Sequence, residues 1–353
     1  MNPSNARSLA QAWQDLQTQT PHVRIRQAAQ QLGVSEAELL ATTVGQGTTR
    51  LRPDWKTLLK RLPQLGYVMS LTRNEACVLE HKGHFEKVQV FGKGDHQMGL
   101  AIGPIETRIF LNAWHVAFAV EQETADRRLV SLQVFDRAGE AITKIYMQPQ
   151  SDEAAYEQLV ADLRSDDQST TQHVQPYPHP SLDAPQDAEA FLQDWADLKD
   201  THDFFPLLKK HSTHRYQAVR VAEGRFTRSF PISALEPLLA QAAQDKLPIM
   251  IFAGNRGNLQ IHQDRVRTIR MMQRGDALWL NVLDPEFNMH LRQDLIQDAW
   301  VVVKPTEDGH VTAIECYDKD HELIAQFFGL RKPGIPELEA WRDLVASHEQ
   351  TTA

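Results

Sequence analysis

An internal repeat constrains the fold of this sequence more than any other feature. Trp13-Gln-Asp-Leu16 returns as Trp195-Ala-Asp-Leu198, a spacing of 182 (195 − 13). Phe135-Asp-Arg137 returns as Tyr317-Asp-Lys319 at the same spacing. Because this register holds over most of the chain, the sequence predicts a tandem duplication with two similar halves.

Each half combines helical and strand-like patterns. Ser8–Gln19 and Trp55–Leu65 place apolar residues at helical spacing, and strand-like segments follow, among them Phe85–Val90. A hairpin is predicted around Asp136-Arg-Ala-Gly139 and a closing helix over Asp152–Leu163. These patterns predict an α+β fold in which each half is a large, mainly antiparallel β-sheet with helices packed on it.

The repeat divides the chain into three parts. We assign an N-terminal repeat to residues 1–164, a linker rich in Pro, Ser and Asp to 165–190, and a C-terminal repeat to 191–353. The polar tract Ser165–Gln172 is expected to bury nothing, and the prolines that follow it stiffen the linker. The linker histidines, His173 and His179, are expected to be solvated.

Composition limits the class of protein. A content of 42% hydrophobic and 24% charged residues is typical of a soluble globular protein. A length of 353 residues is enough for two domains, each with its own hydrophobic core. Met1–Arg7 leads into a polar helix without a secretory apolar core, so we expect a cytoplasmic protein without membrane insertion. Cys77 and Cys316 stand alone, which excludes a disulfide framework and a Cys-pair metal motif and predicts buried, inert thiols.

The charge argues against a general nucleic-acid binder. The formal net charge is −9, so an anionic ligand would need a local basic pocket. Residues 25–40 nevertheless predict a helix–turn–helix, with Gly33 as a C-cap and Ser35 with Glu38 as a capping box. DNA recognition is one interpretation and a packing unit is the other. The acidic start of the second helix favours packing, since a DNA-reading helix needs basic or amide groups there.

His202 is the candidate metal ligand. At the spacing of 182 it falls on Thr20, so the first copy has no imidazole at that position, and this difference suggests a single site in one copy. Asp200 and Asp203 flank His202, and either carboxylate could orient the imidazole and fix its tautomer. The alternative is a histidine that caps the start of a helix.

Arg108 is the candidate cleft residue of the first half. On an alternating strand, Ile109 and Leu111 take one face and Arg108 shares the other with Phe110. An arginine beside an aromatic suits the wall of a cleft for a flat, partly anionic ligand, and the alternative is a surface ion pair. Phe252-Ala-Gly-Asn-Arg-Gly-Asn258 connects two predicted strands, so we reject a phosphate loop there.

Several segments carry a family likeness. The chain resembles the cytoplasmic haem-handling proteins of bacterial haem-uptake systems, the HemS/HmuS/ChuS/ShuS/PhuS family, also called hemin-degrading factors. The matching segments span almost the full length: Gly33–Leu40, Val68–Asn74, Arg108–Leu111, Asp200–Phe205, His214–Ala218, Phe252–Asn255 and Phe327–Arg331.

The resemblance implies that one b-type haem lies in a cleft between the halves. His202 matches the family's proximal iron ligand, and Arg108 matches the distal arginine that holds water or another small ligand. Some relatives carry extra histidines just after the proximal one, where this chain has Asp203 and Phe205. The positions that the family associates with the haem propionates are Arg215, Lys304 and Arg331. The positions that line the macrocycle are Phe110, Phe252 and Phe328.

The resemblance implies two functions, and the residues do not choose between them. One is a carrier that delivers haem to a separate haem oxygenase. The other is an enzyme that opens the macrocycle with dioxygen and an external reductant, since the chain has no flavin or nicotinamide motif. Expected partners are haem and either a haem oxygenase or a haem-uptake ABC transporter, for a monomer or a dimer. A DNA-binding regulator that responds to haem is a third interpretation.

Overall fold

The computed structural model describes residues 3–21, 23–123, 128–332 and 334–349. The strands in these ranges belong to two antiparallel sheets of nine strands each, and ten α-helices accompany them, which confirms the predicted α+β class. The α-helices are α1 Pro3–Gln19, α2 Ile25–Leu32, α3 Glu36–Ala41, α4 Trp55–Arg61, α5 Glu153–Leu163, α6 Ala188–Ala196, α7 Phe204–Lys210, α8 Arg215–Val221, α9 Leu235–Gln244 and α10 Glu339–Glu349. The strands are β1 Thr48–Leu51, β2 Gly66–Arg73, β3 Cys77–His84, β4 Gln89–Phe91, β5 Met98–Ala101, β6 Glu106–Phe110, β7 Val116–Glu123, β8 Arg128–Phe135, β9 Ala141–Ser151, β10 Thr227–Ser229, β11 Pro248–Gly254, β12 Asn258–Arg265, β13 Ile269–Arg274, β14 Ala277–Leu283, β15 Phe287–Arg292, β16 Asp298–Thr306, β17 Gly309–Tyr317 and β18 Leu323–Gly329.

The chain forms two compact units. Unit 1 comprises Met1–Arg73, Glu80–Pro178 and Asn255–Gln260, and unit 2 comprises Asn74–Leu79, His179–Gly254 and Ile261–Ala353. Each unit therefore contains one short segment from the other half of the sequence. None of the helices in the described ranges is both long and apolar enough to span a membrane.

Unit 1 contains two runs of hydrogen-bonded neighbouring strands, in the orders β1-β7-β8-β9-β2-β3 and β6-β5-β4. Its largest core lies between these strands and helices α4 and α5, and includes Leu59, Leu65, Ile105 and Leu159, all without significant exposure. A second cluster packs α3 against β7 and β8 through Leu40, Phe118 and Phe135.

Unit 2 likewise contains two runs of hydrogen-bonded neighbouring strands, in the orders β10-β16-β17-β18-β11-β12 and β15-β14-β13. Side chains alternate across its strands, so the sheet has two distinct faces. One face packs Ile314, Cys316 and Phe327 against helices α9 and α10. The other face packs Trp300, Val302 and Tyr317 against α6, α7 and α8, and it is this face that carries the candidate binding residues.

Equivalent turns in the two halves make the same hydrogen bonds, as a duplication requires. Asp136 Oδ1 accepts from the N–H groups two and four residues later, at 2.9 and 3.0 Å, and Asp318 Oδ1 does the same at 2.9 and 2.9 Å. Asn74 and Asn255 also correspond. The side-chain oxygen of each accepts two backbone N–H groups of its own turn, and its amide donates to two backbone carbonyls.

The repeat spacing is not uniform. The N-caps of α3 and α8 are Ser35 and His214, a spacing of 179. The bridges Val44–Thr48 and Glu223–Thr227 have the same spacing. The first half therefore has three more residues than the second between the matched tryptophans and these caps.

The predicted helix–turn–helix is a packing unit. Gly33 ends α2 with a φ of 67°, and Ser35 and Glu38 form the predicted capping box. All six residues of α3, from Glu36 to Ala41, are buried. Because a recognition helix must present side chains to the groove, α3 offers no surface for reading DNA.

Three local predictions differ from the structure. The helix predicted over Trp55–Leu65 is α-helical only as far as Arg61 and continues as a short 3-10 helix over Leu62–Leu65. Pro63 has no backbone N–H and cannot continue the α-helical hydrogen bonding. The strand predicted over Phe85–Val90 forms only as β4, since Lys87 has a φ of 42° that interrupts extended backbone.

The linker tract also differs from its prediction, because Ser165–Gln172 takes part in burial. Gln172 is only 8% exposed, and its side-chain oxygen accepts from Arg50 Nη1 at 2.5 Å. The carbonyls of Ser169 and Thr171 accept from Arg50 Nη2 at 3.2 and 2.9 Å. The tract therefore encloses a guanidinium group.

Candidate functional site

His202 lies on a short 3-10 turn, Thr201–Asp203, immediately before α7. Its side chain is 89% exposed, yet its orientation is set by Asp200, whose Oδ1 lies 2.6 Å from the ring Nδ1. The same oxygen accepts the His202 backbone N–H at 2.8 Å, and Asp203 completes a capping box with Asp200. The prediction that a flanking carboxylate orients the imidazole is confirmed, and Asp200 is that carboxylate.

This geometry leaves one ring nitrogen for a ligand. Because a carboxylate can only accept, Nδ1 donates to Asp200; in the neutral ring Nε2 then keeps a lone pair, and no partner for Nε2 is found in the described ranges. Three favourable interactions hold the pKa of Asp200 below its usual range: the His202 backbone N–H first, then the His202 side chain and the Arg331 guanidinium, against the effect of burial. Arg331 also approaches Asp308 at 3.6 Å.

Phe204, the first residue of α7, brings two of the predicted cations together. The Lys304 Nζ lies 4.4 Å from the centre of the Phe204 ring, and the Arg215 guanidinium carbon lies 5.1 Å from it. Phe204 itself is buried and packs against Trp195 with ring centres 4.7 Å apart. Arg215 and Lys304 therefore pack against the segment that carries His202, through the ring of Phe204.

Both cations bind Glu315, a residue that sequence reasoning missed. Arg215 makes a bidentate pair with it through Nε at 2.9 Å and Nη2 at 2.6 Å, and Lys304 Nζ donates to Oε1 at 3.1 Å. Tyr317 and Gln326 donate to the same carboxylate at 2.5 and 2.9 Å. Glu315 is fully buried, and the five hydrogen bonds satisfy it.

Burial and charge compete in this cluster. Burial raises the pKa of Glu315, but Arg215 and Lys304 outweigh burial and hold it well below its usual range. Burial lowers the pKa of Lys304 to about 8, although Glu315 opposes the shift. Burial also lowers the pKa of Arg215, but Glu315 prevails and raises it above its ordinary value. Two cations share one carboxylate, so the cluster keeps one net positive charge while Lys304 is protonated.

Phe252 and Phe328 form an apolar patch on the same face of the sheet. Their rings lie 5.0 Å apart at an interplanar angle of 49°, and they cluster with Met250, Val311 and Ala313. Phe328 follows Gln326 by two residues on β18, and side chains two residues apart share a face. The patch is thus continuous with the Glu315 cluster.

Arg108 and Phe110 lie in unit 1, on β6. The alternation of the strand is confirmed, since Ile109 is buried while Arg108 and Phe110 are partly exposed. Arg108 Nη2 donates to Glu106 Oε1 at 2.9 Å, whereas the buried Arg108 Nη1 has no hydrogen-bond partner in the described part of the chain. A buried guanidinium N–H without a partner costs free energy, so this nitrogen is suited to donate to a ligand.

The structure groups most of the predicted residues of unit 2 around Asp200–Lys210. Arg331 acts on Asp200, Arg215 and Lys304 contact Phe204, and Phe252 and Phe328 extend the same sheet face. Cys77 and Cys316 lie elsewhere, in the core on the other face, and are fully buried. Their burial confirms that part of the prediction, and burial raises the pKa of the Cys77 thiol to about 12, which favours the less reactive protonated form.

Comparison with known proteins yields consistent matches. The sequence profile described as "Haemin-degrading HemS.ChuX domain" matches twice, at residues 33–163 and 212–348. The chain is 34% identical to "Hemin transport protein HemS" of Yersinia enterocolitica, over 97% of each chain.

Two solved structures cover nearly the whole chain. The structure of holo-PhuS, described as a heme-binding protein from Pseudomonas aeruginosa, matches with a TM-score of 0.92 at 44% identity, over 97% of this chain and 99% of that one. The Escherichia coli O157:H7 heme degrading enzyme ChuS matches with a TM-score of 0.88 at 33% identity, over the same shares. The chain belongs to the HemS/ChuX family.

Proposed function

We propose that this protein binds one haem and that His202 is the axial ligand of its iron. The observation that carries the proposal is the His202–Asp200 pair: an imidazole that is 89% exposed but held by a carboxylate on Nδ1. Iron-ligating histidines need this arrangement, because a partner on one nitrogen fixes the tautomer and leaves the other nitrogen as the ligand. The PhuS and HemS relatives, described as heme-binding and hemin transport proteins, support it.

The remaining residues of unit 2 fit the periphery of the same ligand. Haem presents two carboxylates and an apolar ring as well as iron. We assign the carboxylates to Arg215, Lys304 and Arg331, because the Glu315 cluster keeps a net positive charge and Arg331 lies near Asp200. We assign the ring to the apolar patch of Phe252 and Phe328, and Phe110 of unit 1 is a further proposed ring contact.

Arg108 is the proposed distal residue, on the side of the ring opposite His202. Its Nη1 is buried without a partner in the described ranges, while its Nη2 is fixed by Glu106. A fixed guanidinium with one N–H to spare can donate to a small ligand on the iron or to a haem oxygen atom. When bound, haem would supply an iron centre able to exchange electrons and take up such a ligand.

We propose that the bound haem is handed on or broken down in a bacterial haem-uptake system, in the cytoplasm. Transfer to a haem oxygenase is the first candidate, and a haem-uptake ABC transporter is the proposed donor. Breakdown is the second candidate, since Arg108 has a free donor and ChuS is described as a heme degrading enzyme. We further propose repeats at 1–164 and 191–353 joined by 165–190, which the two profile matches support.

The iron ligand is tested by titrating the purified protein with hemin and recording absorption. His202→Ala should shift the Soret and charge-transfer bands, whereas His179→Ala, which removes an exposed imidazole elsewhere in unit 2, should leave them unchanged. Asp200→Asn should weaken binding, because it removes the negative charge that holds Nδ1–H. A His202→Ala spectrum identical to that of the unmodified protein would remove His202 from the site.

Transfer and breakdown are separated by a single turnover with reductant and catalase present. Loss of the Soret band with release of a linear tetrapyrrole indicates breakdown, and in that case Arg108→Gln should slow the loss. A Soret band that persists until a haem oxygenase is added indicates transfer. The Arg108 assignment fails if Arg108→Gln leaves both the spectrum and the rates unchanged.

A further inference from the structure

Within the part of the chain that the structure describes, strand β13 pairs with a strand on one side only and forms a basic edge of unit 2. It pairs with β14 through six residues, from Ile269 to Arg274, and is the last strand in its sheet order. Every residue of β13 after Ile269 is exposed, including Met271 at 37% and Met272 at 39%. Exposed sheet edges carry free backbone groups that can pair with another chain, and two exposed methionines add apolar contact area to this one.

The backbone register identifies the groups that face outward. The Thr268 carbonyl accepts from Leu283 N–H at 2.9 Å, so the hydrogen-bonded rungs recur at every second residue of β13. Arg270, Met272 and Arg274 are therefore bonded to β14, while the N–H and C=O groups of Ile269, Met271 and Gln273 point away from it. One incoming strand could pair with these three residues.

The side chains give the edge a positive charge. Arg270 and Arg274 lie on one face with Met272 between them, and neither arginine has an ion-pair partner in the described ranges. Arg265 precedes them and is also exposed. Free arginines on an edge stand out in a chain with a net charge of −9, because acidic groups are plentiful elsewhere.

We propose that β13 is a docking edge for a protein partner that adds an acidic, extended strand to the sheet. Main-chain pairing would supply general affinity, while acidic side chains opposite Arg270 and Arg274 would supply selectivity. A second copy of this chain is disfavoured at this edge because it would bring arginines opposite arginines. Nucleic acid could use the charge but has no main-chain ladder to complete.

The proposal is tested with a fluorescein-labelled peptide of alternating Glu and Val, 11 residues long, added to the full-length protein. Its anisotropy should rise on binding. Arg270→Glu combined with Arg274→Glu should weaken binding by about tenfold, since two exposed charge pairs become two repulsions. The matched control is Arg225→Glu with Lys246→Glu, which changes the net charge equally at exposed sites outside β13 and should leave binding unchanged.

The contribution of the backbone is tested on the peptide, so the protein fold is unaffected. N-methylation at alternate residues keeps the charge but removes the N–H groups that complete the ladder, and should abolish binding. A DNA duplex of equal charge should bind at least tenfold more weakly than the peptide. The proposal is overturned if the peptide does not bind, if the methylated peptide binds equally well, or if the duplex competes on equal terms.

Discussion

Replacing Glu315 with Gln should destabilise unit 2 strongly, because Glu315 is the one carboxylate among the described residues that pairs with the two cations of its cluster. Arg215 donates to it twice and Lys304 once. Glutamine retains the volume and one acceptor, so the variant changes the charge and leaves the packing nearly intact. Removing one partner of a buried ion pair costs about 3–5 kcal/mol, since the remaining charge is left uncompensated.

The size of the loss depends on Lys304 and therefore on pH. Burial already lowers the pKa of Lys304 to about 8, and removal of Glu315 lowers it further. Because the folded-state pKa is depressed, the folded protein binds fewer protons than the unfolded chain above that pKa, and its stability rises with pH. Above pH 9 Lys304 is largely neutral with or without Glu315, so the interaction between them should then contribute little.

A double-mutant cycle isolates this interaction. Lys304→Met alone should change stability by less than about 1 kcal/mol, since Arg215 still compensates Glu315. In the double variant, Lys304→Met should recover about 1–3 kcal/mol of the loss caused by Glu315→Gln at pH 6.5, and close to nothing at pH 9.5. Urea unfolding followed by tryptophan fluorescence measures all four proteins. Additive effects at pH 6.5, or a coupling free energy independent of pH, would refute the reasoning.

Three further predictions concern other buried groups. Burial raises the pKa of Glu337 from 4.5 to about 7, so the fold loses stability as pH rises from about 4.5 to 7 and keeps that loss above 7; Glu337→Gln should therefore add about 3 kcal/mol to the free energy of unfolding at pH 8 and under about 1 kcal/mol at pH 5. Gly139→Ala should cost at least about 2 kcal/mol, because Gly139 has a φ of 82° and a Cβ there would lie 2.2 Å from Ser35 Oγ, the N-cap of α3. Cys77 and Cys316 should resist a thiol reagent in the native protein and react fully once it is unfolded, as absorbance of the released chromophore would record.

The predictions for Glu337 and Gly139 each have a matched control. Glu339→Gln removes an exposed carboxylate two residues from Glu337 and should show no comparable pH dependence. Gly45→Ala has a φ of 83° but nothing within 4 Å of the added Cβ, so it isolates backbone strain from the clash with the cap. Equal losses for Gly45→Ala and Gly139→Ala would contradict the steric argument, and rapid native-state labelling of the cysteines would contradict their burial.

The features that the sequence predicted correctly are local or periodic. The capping box of Ser35 and Glu38, the C-cap at Gly33 and the hairpin around Asp136 each depend on a few neighbouring residues. Alternation along a strand likewise predicted the faces of Arg108 and Ile109. Such features can be read from one sequence because the residues that determine them are adjacent in the chain.

Glu315 was missed because its importance comes from residues far away in the chain. Arg215 lies 100 positions from it and Lys304 11, and only folding brings the two cations to one carboxylate. The available signal was a single acidic residue on a strand whose neighbours are apolar. The change of the repeat spacing from 182 to 179 was missed for a related reason: a three-residue difference in a connecting segment leaves the packed elements on either side alike.

The charged clusters explain why duplicated halves need not carry duplicated sites. Glu36 follows the N-cap of α3 as Arg215 follows the N-cap of α8, so a carboxylate in unit 1 replaces a guanidinium in unit 2. Glu36 is buried and bound by Arg73 and Lys144, just as Arg215 is bound by Glu315.

In both clusters the charge next to the N-cap is bound by a side chain of opposite charge. An anionic ligand would nevertheless meet a guanidinium at the α8 position and a carboxylate at the α3 position. Both arrangements place opposite charges in contact, so the ion pairs alone do not distinguish the two halves. An anionic ligand does distinguish them, because it is attracted by a guanidinium and repelled by a carboxylate. The arginine therefore favours unit 2 as the half that holds the carboxylates of the proposed ligand.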